Sequence, residues 1–453
     1  MASRSRRLRQ DDKRYVWHPF TQMQDWLLER YPIIERGEGS YLIDVDGRRY
    51  LDGVSSLWVT VHGHRKQTID RAVRAQLDKI AHTTFLGLSH PPAIELAGAL
   101  VRIAPKGLAK VFYSDNGSTA VEIALKMAFQ YWQQRGGACA RKTRFIALKE
   151  AYHGDTLGAV SVGGIDLFHQ LYRPLLFPIW RIPSPYRPPW DRRRRADALA
   201  RLESILARRH DRVAGVVLEP LMQGAAGMLP SPPGFLKAVR KLCSQYNVLL
   251  ILDEVATGFG RTGTMFACER EGVTPDLLCL AKGLTGGYLP LAATLTTQAI
   301  FDGFCAPYEK KKSFFHGHSY TANPLACAAA LANLECFRRE QTLTRLQPKI
   351  ALLRRELETP RTLLHVADIR QVGFMVGIEL MQDRDKGTPY PYEAKMGIRT
   401  ILEARRRGLI IRPLGNVIVL MPPLSISPKD LIRMVRIVGE SIRAATEGVR
   451  REA

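Results

Sequence analysis

The chain has 453 residues, more than one ordinary core accommodates, and its 46% hydrophobic and 8% aromatic content excludes a disordered protein. No apolar run is long enough to cross a bilayer, and the opening MASRSRRLRQDDKRY has charge but no apolar h-region, so a frayed basic arm is expected there and no secretory signal or membrane partner. A net charge of +23 raises nucleic-acid binding, but the basic residues are spread along the chain and the dense runs at 4–9 and 192–195 accompany no RNP, zinc-finger or helix-turn-helix pattern, so the charge reads as solvated surface and no nucleic-acid partner is expected.

In chain order, YLIDVDGRRYLDG (41–53) reads as a hairpin turning at Asp46-Gly47. From about 107 to 330, strands alternate with helices: strand 110–113, helix 119–134, strand 144–148, then the Pro-rich PSPYRPPW, helix 196–208, strand 213–219, helix 234–246, strands 248–252 and 277–281, and helix 324–339. Several strands are continuous apolar runs, as in a sheet covered by helices on both faces. After 345 come a basic helix at 347–357, strands near 369–380 and 417–421, and a terminal helix from Pro428. The expectation is an α/β protein. Its large domain, 66–340, holds a mainly parallel sheet flanked by helices. A smaller α+β domain, 341–453, is joined by the N-terminal segment 1–65.

The seven cysteines are Cys139, Cys243, Cys268, Cys279, Cys305, Cys327 and Cys336. Their number is odd and none stands at CxxC spacing, which disfavours a disulfide frame or a zinc site and implies free thiols in a reducing cytoplasm.

Three strand ends carry candidate chemistry. In DLLCLAKGLTGG an apolar strand ends on Lys282 and runs into glycines. In VLLILDEV another ends on Asp253, a carboxylate costly to bury unless paired. Ligands of open α/β sheets sit at the carboxyl ends of strands, so the two are expected to share a rim. The bland alternative makes Asp253 a cap for the following loop, with Glu254 exposed. In YSDNGSTAVEIALKMAFQYW, Gly117 and Ser118 form a turn before a helix, with Thr119 and Glu122 at capping-box spacing and Val121, Ala124, Leu125, Ala128 and Trp132 on one face. Such a helix N-terminus suits a phosphate, though an ordinary capped helix is commoner. In KEAYHGDT, Tyr152 offers a flat stacking surface; the alternative makes Tyr152 a core aromatic and His153 a surface residue. Together these are what pyridoxal phosphate requires: a lysine for the Schiff base, an acid for the pyridinium nitrogen, a helix N-terminus for the phosphate and an aromatic over the ring.

DEVATGFGRTG followed by the lysine of AKGLTGG resembles the class III, fold-type I aminotransferases, over essentially the whole chain after the basic arm. WHPFTQM (17–23), SSLWVTVHGH (55–64), AYHGDT (151–156), VATGFGRTG (255–263), HGHSYTANPLAC (316–327) and IRPLGN (411–416) are similar to motifs of the subgroup that converts 8-amino-7-oxononanoate to 7,8-diaminononanoate in biotin biosynthesis. The resemblance implies that Lys282 is the Schiff-base lysine and proton shuttle, Asp253 the pyridine-nitrogen partner, Gly117 and Ser118 the phosphate turn, and Tyr152 the stacking aromatic. It implies a homodimer with shared sites, because Ser319, beside His318, stands where a threonine usually reaches the phosphate from the other subunit. Arg412 matches the arginine that takes the substrate carboxylate; Phe20, Leu57, Trp58, Asp155 and Gly317 match other pocket positions.

The sequence departs from the adenosylmethionine-using members. Leu57 replaces an aromatic, Phe20 a tyrosine, and His318-Ser319 a Pro-Thr pair. Losing the aromatic at 57 removes a stacking face for adenine. This variant resembles the Bacillus-type enzymes that use lysine, so L-lysine is the expected amino donor, with S-adenosylmethionine close behind. The rival expectations are another class III enzyme of ornithine or 4-aminobutyrate type, or a 2,1-aminomutase, and outside the enzymes a basic nucleic-acid-binding protein.

Overall fold

The computed structural model describes residues 2–186 and 192–452; the 187–190 part of the Pro-rich stretch and Asp191 lie outside the described residues. Three strands follow the N-terminal helices: β1 (Ile34–Glu38), β2 (Tyr41–Asp44) and β3 (Arg49–Asp52), the last two being the expected antiparallel hairpin. The basic arm is not frayed. Residues Ala2–Tyr15 form a helix pinned to β1 by the Arg4–Glu35 ion pair and to the β2–β3 turn by Arg9–Asp46, each 2.6 Å. Arg4 and Arg9 thus find acidic partners more than thirty positions away, which composition alone does not reveal.

The central sheet uses β4 (Leu108–Ser114), β5 (Arg144–Leu148), β6 (Trp180–Ile182) and β7 (Val213–Leu218). A small ribbon, β8 (Met222–Gln223) and β9 (Leu229–Pro230), comes next; then β10 (Leu249–Asp253), β11 (Leu277–Leu280) and β12 (Ala292–Thr297) complete the sheet. The spatial order is β4-β12-β11-β10-β7-β5-β6. The run from β11 to β6 is parallel, while β12 is antiparallel to both β11 and β4. Sequence reading missed β12, because AATLTT has no apolar run of the kind that marks its neighbours. All six residues of β7 and all five of β10 are buried, as expected of strands covered on both faces. Each fully buried Leu, Ile or Val there contributes roughly 1.5–3 kcal/mol from burial.

The helix after β4 spans Gly117–Arg135, with Val121, Ala124, Leu125, Ala128 and Trp132 buried. Its capping box lies earlier than Thr119 and Glu122: Asn116 is the N-cap, accepting from the Thr119 amide at 3.0 Å, while the Thr119 hydroxyl accepts from the Asn116 amide. Glu122, freed from capping, accepts from the amides of Gly158 (2.7 Å) and Ala159 (3.2 Å) at the start of the helix Leu157–Val162.

Toward the C-terminus come β13 (Val366–Val372), β14 (Met375–Asp383), β15 (Thr388–Pro389), β16 (Leu409–Ile410), β17 (Arg412–Leu414) and β18 (Val417–Leu420). Of these, β13, β14, β18 and β17 form an antiparallel sheet in that order, with β15 paired to β14. By contrast β16 leaves it and pairs in parallel with β3, Leu409 opposite Leu51, so both chain ends share one sheet. Among the described residues no helix is long and apolar enough to cross a membrane. All seven cysteines are free, five of them buried and Cys305 exposed.

Candidate active site

Parallel register sets the first two groups. Asp253 closes β10 opposite Cys279 of β11, and Lys282 follows just beyond the end of β11. Both therefore stand on the carboxyl rim of adjacent strands, as the sequence suggested. Lys282 has φ +44, a left-handed backbone that a non-glycine residue adopts only under constraint. Its Nζ lies 5.1 Å from the centroid of the Trp58 ring. Burial pushes the Lys282 ammonium below its ordinary pKa, against the opposing pull of Asp253 and Glu219. A larger share of neutral, nucleophilic amine follows.

Asp253 is buried, and its Oδ2 meets His153 Nδ1 at 2.7 Å while Oδ1 accepts from the Val255 amide at 3.0 Å. His153 is not a surface residue: its side chain is fully buried. Burial disfavours its charged form, yet the hydrogen bond and charge of Asp253 outweigh this and raise its pKa. Glu219, at the end of β7, is also buried and accepts from the amides of Tyr152 (3.1 Å) and Gly224 (2.9 Å); burial pushes its carboxyl up to about 7. Sequence reading missed Glu219, although it ends an apolar run just as Asp253 does. Glu254 is not exposed either. The loop after it folds back, so its carboxylate accepts from Thr257 Oγ1 (3.0 Å) and the amides of Ala267 and Cys268 (2.8 Å each), and burial raises it to about 7.

Gly117 and Ser118 open the helix Gly117–Arg135, whose first amides have no intrahelical partner. A Cβ on Gly117 would lie 2.6 Å from Val255 Cγ1, so only glycine lets the turn pack on the loop that follows Asp253. Ser118 Oγ accepts from the Asp155 amide at 3.1 Å, bringing in AYHGDT. Gly154, at φ +117, leaves no room for a side chain against Ser118.

The Tyr152 hydroxyl donates to Asp155 Oδ2 at 2.8 Å, and burial, reinforced by Asp155, raises its pKa. The Tyr152 ring lies parallel to His169, and Phe168 bridges edge-on between Tyr152 (6.2 Å) and Phe20 (5.5 Å). Trp58 is buried in a cluster with Met222, Met421 and Val419, and Leu57 beside it is 47% exposed. Val419 is the register partner of Arg412. Arg412 reaches solvent, desolvation by surrounding protein lowers its pKa, and no acidic partner among the described residues neutralises it.

Gly317, His318 and Ser319 stand apart. No hydrogen bond or ion pair joins them to Lys282, Asp253 or Tyr152 among the described residues. His318 Nε2 is 3.9 Å from Asp115, the Ser319 carbonyl accepts from His82 Nε2 at 2.7 Å, and Gly317 and Ser319 are exposed.

The residues fit pyridoxal phosphate. Lys282 offers an amine of lowered pKa, and each Asp253 oxygen retains acceptor capacity for a ring N–H. The glycine-shaped helix N-terminus suits a phosphate, and Tyr152 offers a flat face.

The pattern of the class-III aminotransferase family matches residues 26–442. The adenosylmethionine-8-amino-7-oxononanoate aminotransferase of Nitratidesulfovibrio vulgaris is 57% identical over 451 residues, covering 98% of this chain and 83% of that protein. The crystal structure of the enzyme of that name from Methanocaldococcus jannaschii superposes with a TM-score of 0.93 at 48% identity, covering 97% of this chain and 99% of that one. The Pseudomonas jessenii omega transaminase, solved in complex with PMP, superposes with a TM-score of 0.91 at 29% identity, covering 98% of this chain and 99% of its own. Likeness of this extent in both sequence and backbone leaves no second family to weigh: the chain belongs to the class-III aminotransferases, enzymes that work with pyridoxal phosphate.

Proposed function

We propose that this protein transfers an amino group to the ketone of 8-amino-7-oxononanoate, yielding 7,8-diaminononanoate for biotin biosynthesis in the cytoplasm. The observation that supports it most is the rim itself. A desolvated Lys282 amine and a His153-held Asp253 end adjacent strands, and the unpaired Arg412 guanidinium lies on the strand whose partner packs on Trp58. The names of the relatives support the choice of acceptor.

Pyridoxal phosphate, when bound, supplies the carbonyl that takes up the amino group and the ring that accepts electrons. The protein residues do the rest. Lys282 would hold the cofactor through Nζ and, once released, carry a proton on that nitrogen. Asp253 would keep the proton on the ring nitrogen, with His153 fixing the carboxylate. The first amides of the helix at Gly117 and Ser118 would hold the phosphate, and Tyr152 would cover the ring. Arg412 would take the acceptor carboxylate in a two-pronged contact that a lysine cannot reproduce. Phe20, Leu57, Trp58 and Asp155 would line the remaining pocket. Gly317, His318 and Ser319 are assigned to the site of a second copy in a homodimer. Exposed Leu86, Leu88, Phe315 and Tyr320 support that assembly, since such apolar side chains mark contact surfaces. The domain seams are assigned near residues 65 and 340, a reading supported by all strands of the central sheet lying between them and β1–β3 and β13–β18 lying outside.

Exposed Leu57, with no aromatic at that position, favours L-lysine as donor, and the names of the relatives favour S-adenosylmethionine. The purified yellow protein should form 7,8-diaminononanoate from 8-amino-7-oxononanoate with one of these donors. Turnover with S-adenosylmethionine and none with lysine would reverse the donor preference. No product with either, alongside turnover of ornithine or 4-aminobutyrate, would replace the reading with an omega-aminotransferase of that type.

A further inference from the structure

The turn that presents Leu57 and Trp58 is held in a conformation its residues disfavour. Ser55, Ser56 and Trp58 have φ values of +53, +59 and +65, and none is glycine. Ser56, with ψ −82, lies near the γ-turn well that L-residues rarely occupy. Such backbone persists only where its surroundings over-determine it.

The surroundings here converge on one carboxylate. Asp52 is fully buried. Its Oδ1 accepts from the amides of Val54 (3.2 Å) and Ser56 (3.0 Å); its Oδ2 accepts from the Ser56 amide (2.8 Å) and meets His64 Nε2 at 2.9 Å. His64 is itself fixed. Its backbone exchanges hydrogen bonds with Gly39 at 2.7 and 3.1 Å, and its side chain occupies the space a Cβ on Gly37 would need. The far end of the segment is pinned as well: buried Arg261 donates to the carbonyls of Thr60 (2.9 Å) and Pro422 (2.8 Å), and Ser55 Oγ donates to the Met421 carbonyl (2.6 Å). Between these pins the Trp58 ring lies under Lys282 Nζ. A turn relaxed at Ser56 would shift the peptide groups that set Leu57 and Trp58.

We propose that Asp52, clamped by His64, is a positioning residue that holds the Ser55–Trp58 turn in its strained form and thereby sets how the amino donor is received beside Leu57 and Trp58. The donor part rests on the pocket assignment made above; the clamp itself does not.

The test uses the cofactor-loaded enzyme and Asp52→Asn, which keeps the shape but removes the charge and one acceptor. Amide hydrogen exchange across residues 53–60 should speed up about tenfold or more, as expected for a backbone opened locally. The kcat/KM for the amino donor should fall roughly tenfold to a hundredfold, the scale for a displaced positioning group, with the visible absorbance of the cofactor retained. Adding Ser56→Gly should recover part of that loss, because glycine takes positive φ without a Cβ penalty. Unchanged exchange and unchanged donor kinetics in Asp52→Asn would overturn the proposal, as would a loss that Ser56→Gly does not relieve. Should Asp52→Asn fail to fold, His64→Gln, which leaves the carboxylate and loosens its clamp, must move exchange and kinetics in the same direction; no movement there overturns the proposal equally. Wild-type turnover of 8-amino-7-oxononanoate is the control. If that is absent while exchange still responds to Asp52, the functional reading fails and the clamp stands.

Discussion

Asp253 ends a buried strand and Lys282 stands just past the end of its parallel neighbour, so the sheet brings both to one rim, whereas Leu57 and Trp58 ride on a turn in which Ser55, Ser56 and Trp58 all have positive φ. The first pair sits on buried apolar strands that cannot shift without disturbing the core. The second is held by a few hydrogen bonds to Asp52, Met421 and Arg261. Groups that must meet the same cofactor atoms in every turnover belong on the rigid rim. Groups that choose among substrates belong on a segment whose shape can change with few substitutions. The two regions should therefore fail differently.

The largest effect is expected at the rim. Lys282→Ala should lower kcat by at least about 10²–10⁴-fold, the range for loss of a positioned proton-transfer group, and should abolish borohydride-fixable cofactor attachment while the fold survives. Turnover near wild type would remove Lys282 from the chemistry and dissolve the contrast. An intermediate effect is expected at Arg412, on β17 opposite Val419. Arg412→Ala should raise KM for 8-amino-7-oxononanoate roughly tenfold to a hundredfold, as loss of a charge-assisted hydrogen bond of about 1.5–3 kcal/mol predicts, with kcat for the donor half-reaction little changed. An unaltered acceptor dependence would place Arg412 outside the pocket.

The smallest effect at neutral pH, one that grows only on acidification, separates the regions. His62, two residues past the strained segment's Thr60 pin, is buried edge-on against Phe337, and burial pushes its pKa down to about 4. The unfolded chain binds that proton near the ordinary histidine value, so between pH 6.5 and 4 the unfolded state holds more protons and stability falls as pH falls, by on the order of 2–3 kcal/mol. The rim acids act in the opposite sense. Glu219 and Glu254, raised to about 7, favour the folded state in their protonated forms, and that contribution is lost as pH rises toward 7. Denaturant titrations from pH 4 to 7 should show a shallower acid-side loss in His62→Phe than in wild type. Identical slopes would mean that His62 charges freely in the folded protein.

This contrast also explains what could be read from the sequence. Apolar runs ending in Asp253 and Lys282 announce a sheet rim, because burial on both faces writes itself as continuous hydrophobicity. The antiparallel β12 left no such mark, since the threonines of AATLTT interrupt any apolar run. Glu219 ends an apolar run as Asp253 does and that signal was passed over, whereas His153 was misjudged because its burial shows only through Asp253, its partner a hundred positions away. The strained turn was invisible for the same reason. Nothing in the letters Ser-Ser-Leu-Trp states that Asp52 takes the Ser56 amide. The N-terminal helix was misjudged because Arg4 and Arg9 pair with Glu35 and Asp46, not with neighbours within the helix.

The parallel pairing of β16 with β3 has a consequence for biogenesis. Leu409 lies opposite Leu51, so one edge of the first hairpin has no neighbour until nearly the entire polypeptide has been translated. At roughly 5–20 residues per second on the ribosome, that edge stays open for on the order of tens of seconds, long enough to recruit a chaperone or to zip onto another nascent copy.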